Sequence, residues 1–159
     1  MAAITAYNIS LWLHISAVVV GFGATFAEAI AFPVAMSLDK RHLPYVHKLG
    51  LAINQRMATP ALVVILITGV YQAAEGDWDF GSFWISASFV IVIALGGLMG
   101  AYFIPTDRKL LAMAERDLAA GEEMSEEYQA AARRIGAVGG LAGFLVILAI
   151  FLMVVKPGA

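Results

Sequence analysis

The stretch IGAVGGLAGFLVILAIFLMVV, Ile135–Val155, contains 21 residues and no charged side chain. With about 1.5 Å of rise per residue, a helix over this stretch matches the roughly 30 Å hydrocarbon core of a bilayer. A strand of a membrane barrel would alternate apolar and polar residues, which this stretch does not do. It therefore predicts a membrane-spanning helix, which we extend to Glu126–Val155.

Three further apolar stretches precede it and predict spanning helices at about Tyr7–Met36, Ala52–Ala74 and Phe83–Ile104. Hydrophobic residues make up 61% of the chain and charged residues only 14%, whereas soluble domains average about 25% charged residues. This composition excludes an ordinary soluble enzyme, and the net charge of −2 excludes a nucleic-acid binder. The expected fold is all-α, a polytopic membrane four-helix bundle that forms a single domain over residues 1–159.

Lysine and arginine collect in the first and third loops, whereas the second loop, EGDWDFGS, has neither. Because positive charge accumulates on the cytoplasmic side, an N-out/C-out orientation is expected. Trp12, Trp78 and Trp84 fall near the outer boundary, as interfacial anchors do. The chain is therefore expected to be integral to a membrane, the bacterial inner membrane, with loops 1–2 and 3–4 cytoplasmic.

The third loop predicts a cytoplasmic helical hairpin extension between helices 3 and 4. Asp107–Ala120 has apolar residues at mostly helical spacing, Gly121 breaks the pattern, and Ser125 suits the N-cap of the next helix. Pro105 is expected to kink or end the third span. The extension is either a plain hairpin, with Asp107 on a solvated face, or a docking surface for a partner.

His14 and Glu28 lie inside the first span, where an ionisable side chain is costly and indicates function by default. About 21 Å apart along a helix, they share one face but do not touch. His14 is a packing histidine bonded to a backbone group or hydroxyl, a cofactor or metal ligand, or part of a proton relay. Small and polar residues between them complete a stripe that should face the bundle interior: Ala17, Gly21 and Thr25.

Other polar residues give weaker signals. Glu28 is expected to pair with Arg56, which starts the second span on the same side of the membrane; snorkelling is the alternative. His42 and His47 are placed in the cytoplasmic loop, too far from His14 to share one ion. Adaptable packing explains the inner-half methionines better than a copper site does.

Glycines of the third and fourth spans predict where the bundle is tight. Their small-xxx-small spacing lets helix backbones approach closely. We therefore expect these two helices to pack tightly in the cytoplasmic half and to leave the outer half, around His14, open for a planar cofactor. The glycines concerned are Gly96, Gly100, Gly136, Gly139, Gly140 and Gly143.

The first span contains LWLHISAVVVGFGATF, residues 11–26, and the second contains QRMATPALVVILITGVY, residues 55–71. Together they resemble a superfamily of small membrane bundles. This superfamily includes HemJ-type protoporphyrinogen oxidases, CopD-type copper-resistance proteins and a family of integral membrane proteins of unknown function. The matching positions of the second span are Arg56, Thr59, Pro60, Ala61 and Gly69. The stretch GGLMGAYFIPTDRKLLAMAE, residues 96–115, is most similar to the family of unknown function.

The resemblance implies a four-helix core and, for HemJ-type members, a b-type haem whose histidine ligand falls on His14. Those members also carry a functional lysine early in the third helix, where this chain offers only Ser86 and Ser88. That departure argues against protoporphyrinogen oxidation but not against haem, because one histidine can hold a five-coordinate iron. Candidates for a second ligand are Met153, which we rank first, Tyr71 and Lys156.

The leading hypothesis is a membrane protein that binds haem b through His14 and Met153 for a redox or electron-transfer role, with quinol or a porphyrin as partner. If it is an enzyme, it is a membrane oxidoreductase. One alternative is a non-enzymatic accessory or assembly subunit of a larger membrane complex. Another is a small transporter or metal exporter that uses the stripe from His14 to Glu28. Further partners are the lipid bilayer and a homo-oligomer.

Overall fold

The computed structural model describes residues 5–121 and 123–158, which are mostly helical. Its α-helices are α1 (Ala6–Ser37), α2 (Leu43–Ile53), α3 (Thr59–Glu75), α4 (Phe83–Leu98), α5 (Ile104–Ala119) and α6 (Glu126–Val155). A π-helical turn at Asn54–Ala58 joins α2 to α3, and a second at Met99–Phe103 joins α4 to α5. A short 3₁₀ turn at Lys40–His42 precedes α2.

Among the residues that the structure describes, four helical rods are long and apolar enough to cross a membrane. α1 and α6 each form one rod, and the other two run continuously from α2 into α3 and from α4 into α5. The prediction of an all-α membrane bundle with four spans is confirmed. The fourth span has the predicted bounds, whereas the second and third rods are longer than predicted because their helices continue through the π turns.

Pro105 does not end its helix, contrary to one expectation, because the π turn lies directly before α5. Proline has no backbone N–H and cannot donate to the carbonyl four residues earlier. In the wider turn, the Ile104 N–H donates to the Met99 carbonyl. The same arrangement precedes Pro60, where the Thr59 N–H donates to the Asn54 carbonyl. Each rod therefore passes a proline without breaking.

The rods pack mainly in pairs: α1 on α3, α4 on α6 and α2 on α5. α1 and α3 approach closely at Gly21, where an added Cβ would overlap the Cβ of Ala61. Such a contact requires a residue without a side chain, as small-residue interfaces in membranes generally do. The stripe on α1 faces the interior as predicted, with Gly21 buried and its flanking stripe residues partly buried.

The start of α1, the end of α6 and the loop between α3 and α4 lie at one end of the bundle, which we call the tryptophan end. Trp84 is only 5% exposed and meets Trp78 edge-on, with ring centroids 5.3 Å apart. The Nζ of Lys156 lies 4.3 Å from the Trp78 ring centroid, a cation–π distance. Trp84 is therefore a core residue and not the expected interfacial anchor, whereas Trp12 is exposed.

At the opposite end, which we call the basic end, α5 packs on α2 and encloses a second hydrophobic cluster with the start of α6. Gly121 has a positive φ of 69°, in accord with its predicted role as a helix breaker. The predicted cap is confirmed, because the Ser125 hydroxyl accepts a hydrogen bond from the Tyr128 N–H. Asp117 accepts hydrogen bonds from the Ser125 N–H and from Arg116.

The side of the membrane on which each end lies stays a prediction, and the absence of cysteine from the chain makes it easy to test. Glu75→Cys places a thiol at the tryptophan end, and Ala119→Cys places one at the basic end. In intact cells, a membrane-impermeant maleimide should label Glu75→Cys only, because positive charge is retained in the cytoplasm. Labelling of Ala119→Cys alone would show the opposite orientation; permeabilised cells, in which both should react, are the control.

Candidate functional site

A cavity of about 620 Å³ lies between α1 and α6, in the half of the bundle nearer the basic end. Small-molecule sites typically occupy about 300–1,000 Å³, so this volume suits a small organic ligand. Phe26, Phe144 and Ile147 line the cavity and are also exposed on the outside of the bundle. The cavity therefore opens between α1 and α6 toward the face that lipid would cover.

The inner part of this cavity, which we call the polar floor, is lined by Glu28, His47, Asn54 and Asp107. Asn54 Nδ2 donates to Asp107 Oδ2 at 3.1 Å, and His47 Nδ1 lies 3.9 Å from Asp107 Oδ1. The other ring nitrogen, His47 Nε2, is 2.9 Å from the hydroxyl of Tyr128. A chain of polar groups thus runs from the cavity to the buried start of α6.

Gly50 brings the two carboxyl groups of the polar floor to one place. Glu28 Oε1 contacts Gly50, and Asp107 Oδ2 lies 3.9 Å from the position that a Cβ on Gly50 would take. A side chain at this position would displace the Glu28 carboxyl group. The two carboxyl groups therefore face the same surface of α2 from opposite sides of the bundle, one from α1 and one from α5.

Burial of these groups contradicts two interpretations of the sequence. His47, Asn54 and Asp107 are 3%, 4% and 5% exposed. Asp107 is therefore not on a solvated face, and His47 lies within α2 instead of in a loop. Buried polar side chains require hydrogen-bond partners, and the network of the polar floor supplies them.

Helical spacing was the signal that sequence reasoning missed. On α2 and its π turn, the buried face is Leu43, His47, Gly50 and Asn54. On α5, it includes Asp107, Leu110, Ala114 and Asp117. In both cases a polar residue lies three or four positions from a buried apolar one, which is the spacing of one helix face. A face-by-face comparison of the loop segment would therefore have placed His47 and Asp107 in the interior.

Five of the six glycines expected to bring α4 and α6 together are not packed against another helix, and the sixth, Gly143, packs against Phe26 of α1. A Cβ on Gly96, Gly100, Gly136, Gly139 or Gly140 would have no neighbouring atom within 4 Å. α4 and α6 instead meet through bulky residues nearer the tryptophan end. Four glycines of α6 line the cavity: Gly136, Gly139, Gly140 and Gly143. The prediction of tight packing at the cytoplasmic half is wrong, because these glycines leave an open space that no partner helix fills.

His14 lies in the other half of the bundle, beside α3. The Thr68 hydroxyl donates to the Val64 carbonyl at 2.6 Å, so its oxygen accepts from the His14 Nδ1–H at 2.8 Å. This network assigns the proton to Nδ1 and leaves a lone pair on Nε2. The sequence left several interpretations of His14 open. This arrangement matches the one in which His14 is bonded to a neighbouring hydroxyl.

Among the described residues, no hydrogen bond or ion pair joins His14 to the remaining predicted site residues. Met153 packs against the hydrophobic cluster that contains Trp84, and Lys156 lies over the Trp78 ring. Arg56 is exposed, and the described residues contain no ion pair between Arg56 and Glu28. Glu28 instead reaches Gly50 and the polar floor.

Metal ligands are sparse in the part of the chain that the structure describes, which is residues 5–121 and 123–158. Within these ranges no group of three or more His, Cys, Asp or Glu side chains is placed to hold a metal ion. The site that the fold presents is thus an apolar cavity with a polar floor, inside a polytopic helical membrane protein.

Comparison with known families also indicates an integral membrane protein. A family model described as "Predicted integral membrane protein (DUF2269)" matches residues 8–157. The chain therefore belongs to this family of integral membrane proteins, and the predicted resemblance to a family of unknown function is confirmed to that extent. No curated protein and no solved structure matches the chain.

Asp107 should contribute more to stability than the exposed acid Glu115 on the same helix. Asp107→Ala leaves Asn54 without its buried acceptor, at a cost of about 1–3 kcal/mol. Glu115→Ala removes only a surface ion pair with Lys48, worth about 0–1 kcal/mol. Thermal unfolding in detergent should therefore show a midpoint lower by several degrees for Asp107→Ala, and equal midpoints for the two variants would contradict the network.

Proposed function

We propose that the protein is a small transporter that takes its substrate into the cavity between α1 and α6, with Glu28 as the essential carboxyl group. The observation that carries this proposal is the cavity of about 620 Å³ with a polar floor inside a membrane bundle. Ionisable groups inside membrane spans typically line substrate or proton pathways. Glu28 is such a group, and it belongs to the polar floor of the cavity.

The two π turns support a site that changes shape. Asn54 belongs to one turn, Met99 and Phe103 belong to the other, and all three residues line the cavity. Such turns occur frequently at functional sites, where they interrupt regular helical hydrogen bonding. They divide each of the two central rods into segments that can tilt relative to each other around the cavity. Transport requires a rearrangement of this kind so that a site is open to one side at a time.

The charge distribution gives the transporter a direction. With the basic end in the cytoplasm, as the lysines and arginines predict, the cavity lies in the inner half of the membrane. A substrate would enter it from the inner leaflet through the opening between α1 and α6. Export toward the tryptophan end would then pass the stripe that ends at His14.

Single-cysteine variants test whether the cavity is a hydrated pathway. Thr25→Cys places a thiol in the cavity, and Ile30→Cys, on the lipid-facing side of the same helix, is the matched control. A small hydrophilic methanethiosulfonate reagent needs water and a thiolate. It should therefore modify Thr25→Cys and leave Ile30→Cys unreacted in membrane vesicles.

Filling the cavity provides the second arm of that test. Gly140→Leu on the Thr25→Cys background should slow the modification, because Gly140 lines the cavity and has open space around it. Gly97→Leu, at an open position outside the cavity lining, should not slow it. If Thr25→Cys is as unreactive as Ile30→Cys, the transporter proposal is rejected.

A second candidate function is the redox protein with haem b held at His14, and the orientation of that histidine favours it. Ligating histidines usually donate their other ring N–H to a fixed acceptor, and Thr68 is such an acceptor here. The His14 imidazole suits a haem iron as a ligand, but the space around its ring is small. A Cβ on Gly69 would lie 3.5 Å from His14 Cε1 and 3.9 Å from Phe89 Cε1, and His14 does not line the large cavity. A haem here therefore requires α1 and α3 to separate.

Bound haem would supply one-electron chemistry, with quinol or a porphyrin as partner. The chain would contribute His14 as a ligand, Thr68 to orient it, and Met153 as the proposed second ligand. A reduced-minus-oxidised spectrum of the protein purified from haem-replete cells should then show a Soret band. His14→Ala should remove that band and exposed His42→Ala should keep it. A spectrum without a Soret band in the unmodified protein rules out this candidate.

A further inference from the structure

We infer that the substrate of the cavity is a lipophilic organic cation, an amine or quaternary onium group carried on an apolar body. This inference rests on the proposed transporter function and names its substrate class. The charged group of the ligand would lie at the polar floor beside Glu28 and Asp107. Its apolar body would fill the space between α1 and α6.

The charges around the cavity favour a cation. Glu28 and Asp107 supply two carboxyl groups, whereas no Lys or Arg is found among the described residues that line the cavity. Arg56 is the basic residue nearest in sequence to Asn54, and it is exposed on the outside of the bundle. An anionic ligand would therefore meet two acidic groups and no lysine or arginine. A cation would complement both carboxyl groups, because opposite charges at close range attract each other.

The cavity walls suit the rest of such a ligand. Aromatic rings attract cations that lie over their faces, and they also pack against apolar groups. Glycines on α6 leave the space that the apolar body needs, since no neighbouring atom lies within 4 Å of an added Cβ at Gly136, Gly139 or Gly140. The aromatic residues of the walls are Phe22, Phe26, Phe32, Phe103 and Phe144.

The opening of the cavity indicates how the ligand reaches the floor. Exposed Phe26 and Phe144 stand at the gap between α1 and α6, which faces the region that lipid would occupy. A lipophilic cation concentrates in the membrane and could enter sideways through this gap. A small inorganic cation would leave most of the cavity of about 620 Å³ unfilled, so the size of the cavity favours an organic ligand.

The test uses ligands of similar size and different charge. Tetraphenylphosphonium is the cation, tetraphenylborate is the anion of nearly the same shape, and triphenylphosphine oxide is a neutral comparison. Equilibrium dialysis with the full chain in detergent should show saturable binding of the phosphonium only. The anion and the neutral compound should bind no more to the protein than to empty micelles. Preferential binding of the neutral compound would indicate a neutral, quinol-like ligand and overturn the inference.

Variants locate the binding. Glu28→Gln keeps the side-chain shape and removes the charge, so it should weaken phosphonium binding about tenfold or more. Glu75→Gln, an exposed acid at the opposite end, should leave it unchanged. Gly140→Leu should block binding by filling the cavity, and Gly97→Leu should not. Thermal unfolding of each variant separates loss of binding from loss of fold. Unchanged affinity in Glu28→Gln overturns the inference.

The transporter proposal and the substrate class are rejected by different results. If Thr25→Cys is hydrated and the phosphonium does not bind, the substrate class is wrong and the transporter proposal stands. If Thr25→Cys is unreactive, the transporter proposal fails together with the substrate class. If both hold, vesicles that contain the chain should transport the phosphonium, and those with Glu28→Gln should not.

Discussion

Lipid offers no hydrogen-bond partner, and this constraint governs the structure at every level. Backbone groups within the hydrocarbon must bond within their own helix, so the chain crosses as four long rods. Polar side chains must turn inward for the same reason. His14 reaches the Thr68 hydroxyl, and Asn54 reaches Asp107. Before Pro60 and Pro105, hydrogen bonds of the wider π pattern keep the backbone bonded within its own rod.

The two halves of the bundle solve the packing problem differently. Near the tryptophan end, bulky side chains such as Trp84, Val146 and Leu152 interlock and leave little space. Toward the basic end, the glycines of α6 face a gap beside α1. The polar floor closes this gap from the inside and lipid borders it from the outside. The bundle is therefore closely packed at one end and hollow at the other.

Sequence reasoning predicted the spans well and their inner ends poorly. Glu126–Val155 was predicted correctly, because an uncharged run leaves a helix in lipid as the only structure with satisfied backbone groups. The extension of the second rod back to Leu43 was missed, since the charges between Lys40 and Lys48 were interpreted as a loop. The inward direction of the α1 stripe was predicted correctly, and Glu28, which was selected from the sequence, lines the cavity. His47 was missed because the spacing of the loop segment was not compared face by face. Asn54 and Tyr128 were missed because their partners, Asp107 and His47, are distant in the chain.

Composition and charge-free runs were thus sufficient to predict the class of protein and the number of spans. The spacing of small and polar residues was sufficient to predict that the α1 stripe faces inward. These depend on the transfer of each segment between water and lipid, which is a local property of the chain. The location of the cavity was a matter of tertiary packing. Spacing shows that the glycines of α6 permit close contact, but whether they meet a neighbouring helix or an empty space depends on how two rods lie against each other. The same is true of Asp107, whose environment is made by residues more than fifty positions away in the chain.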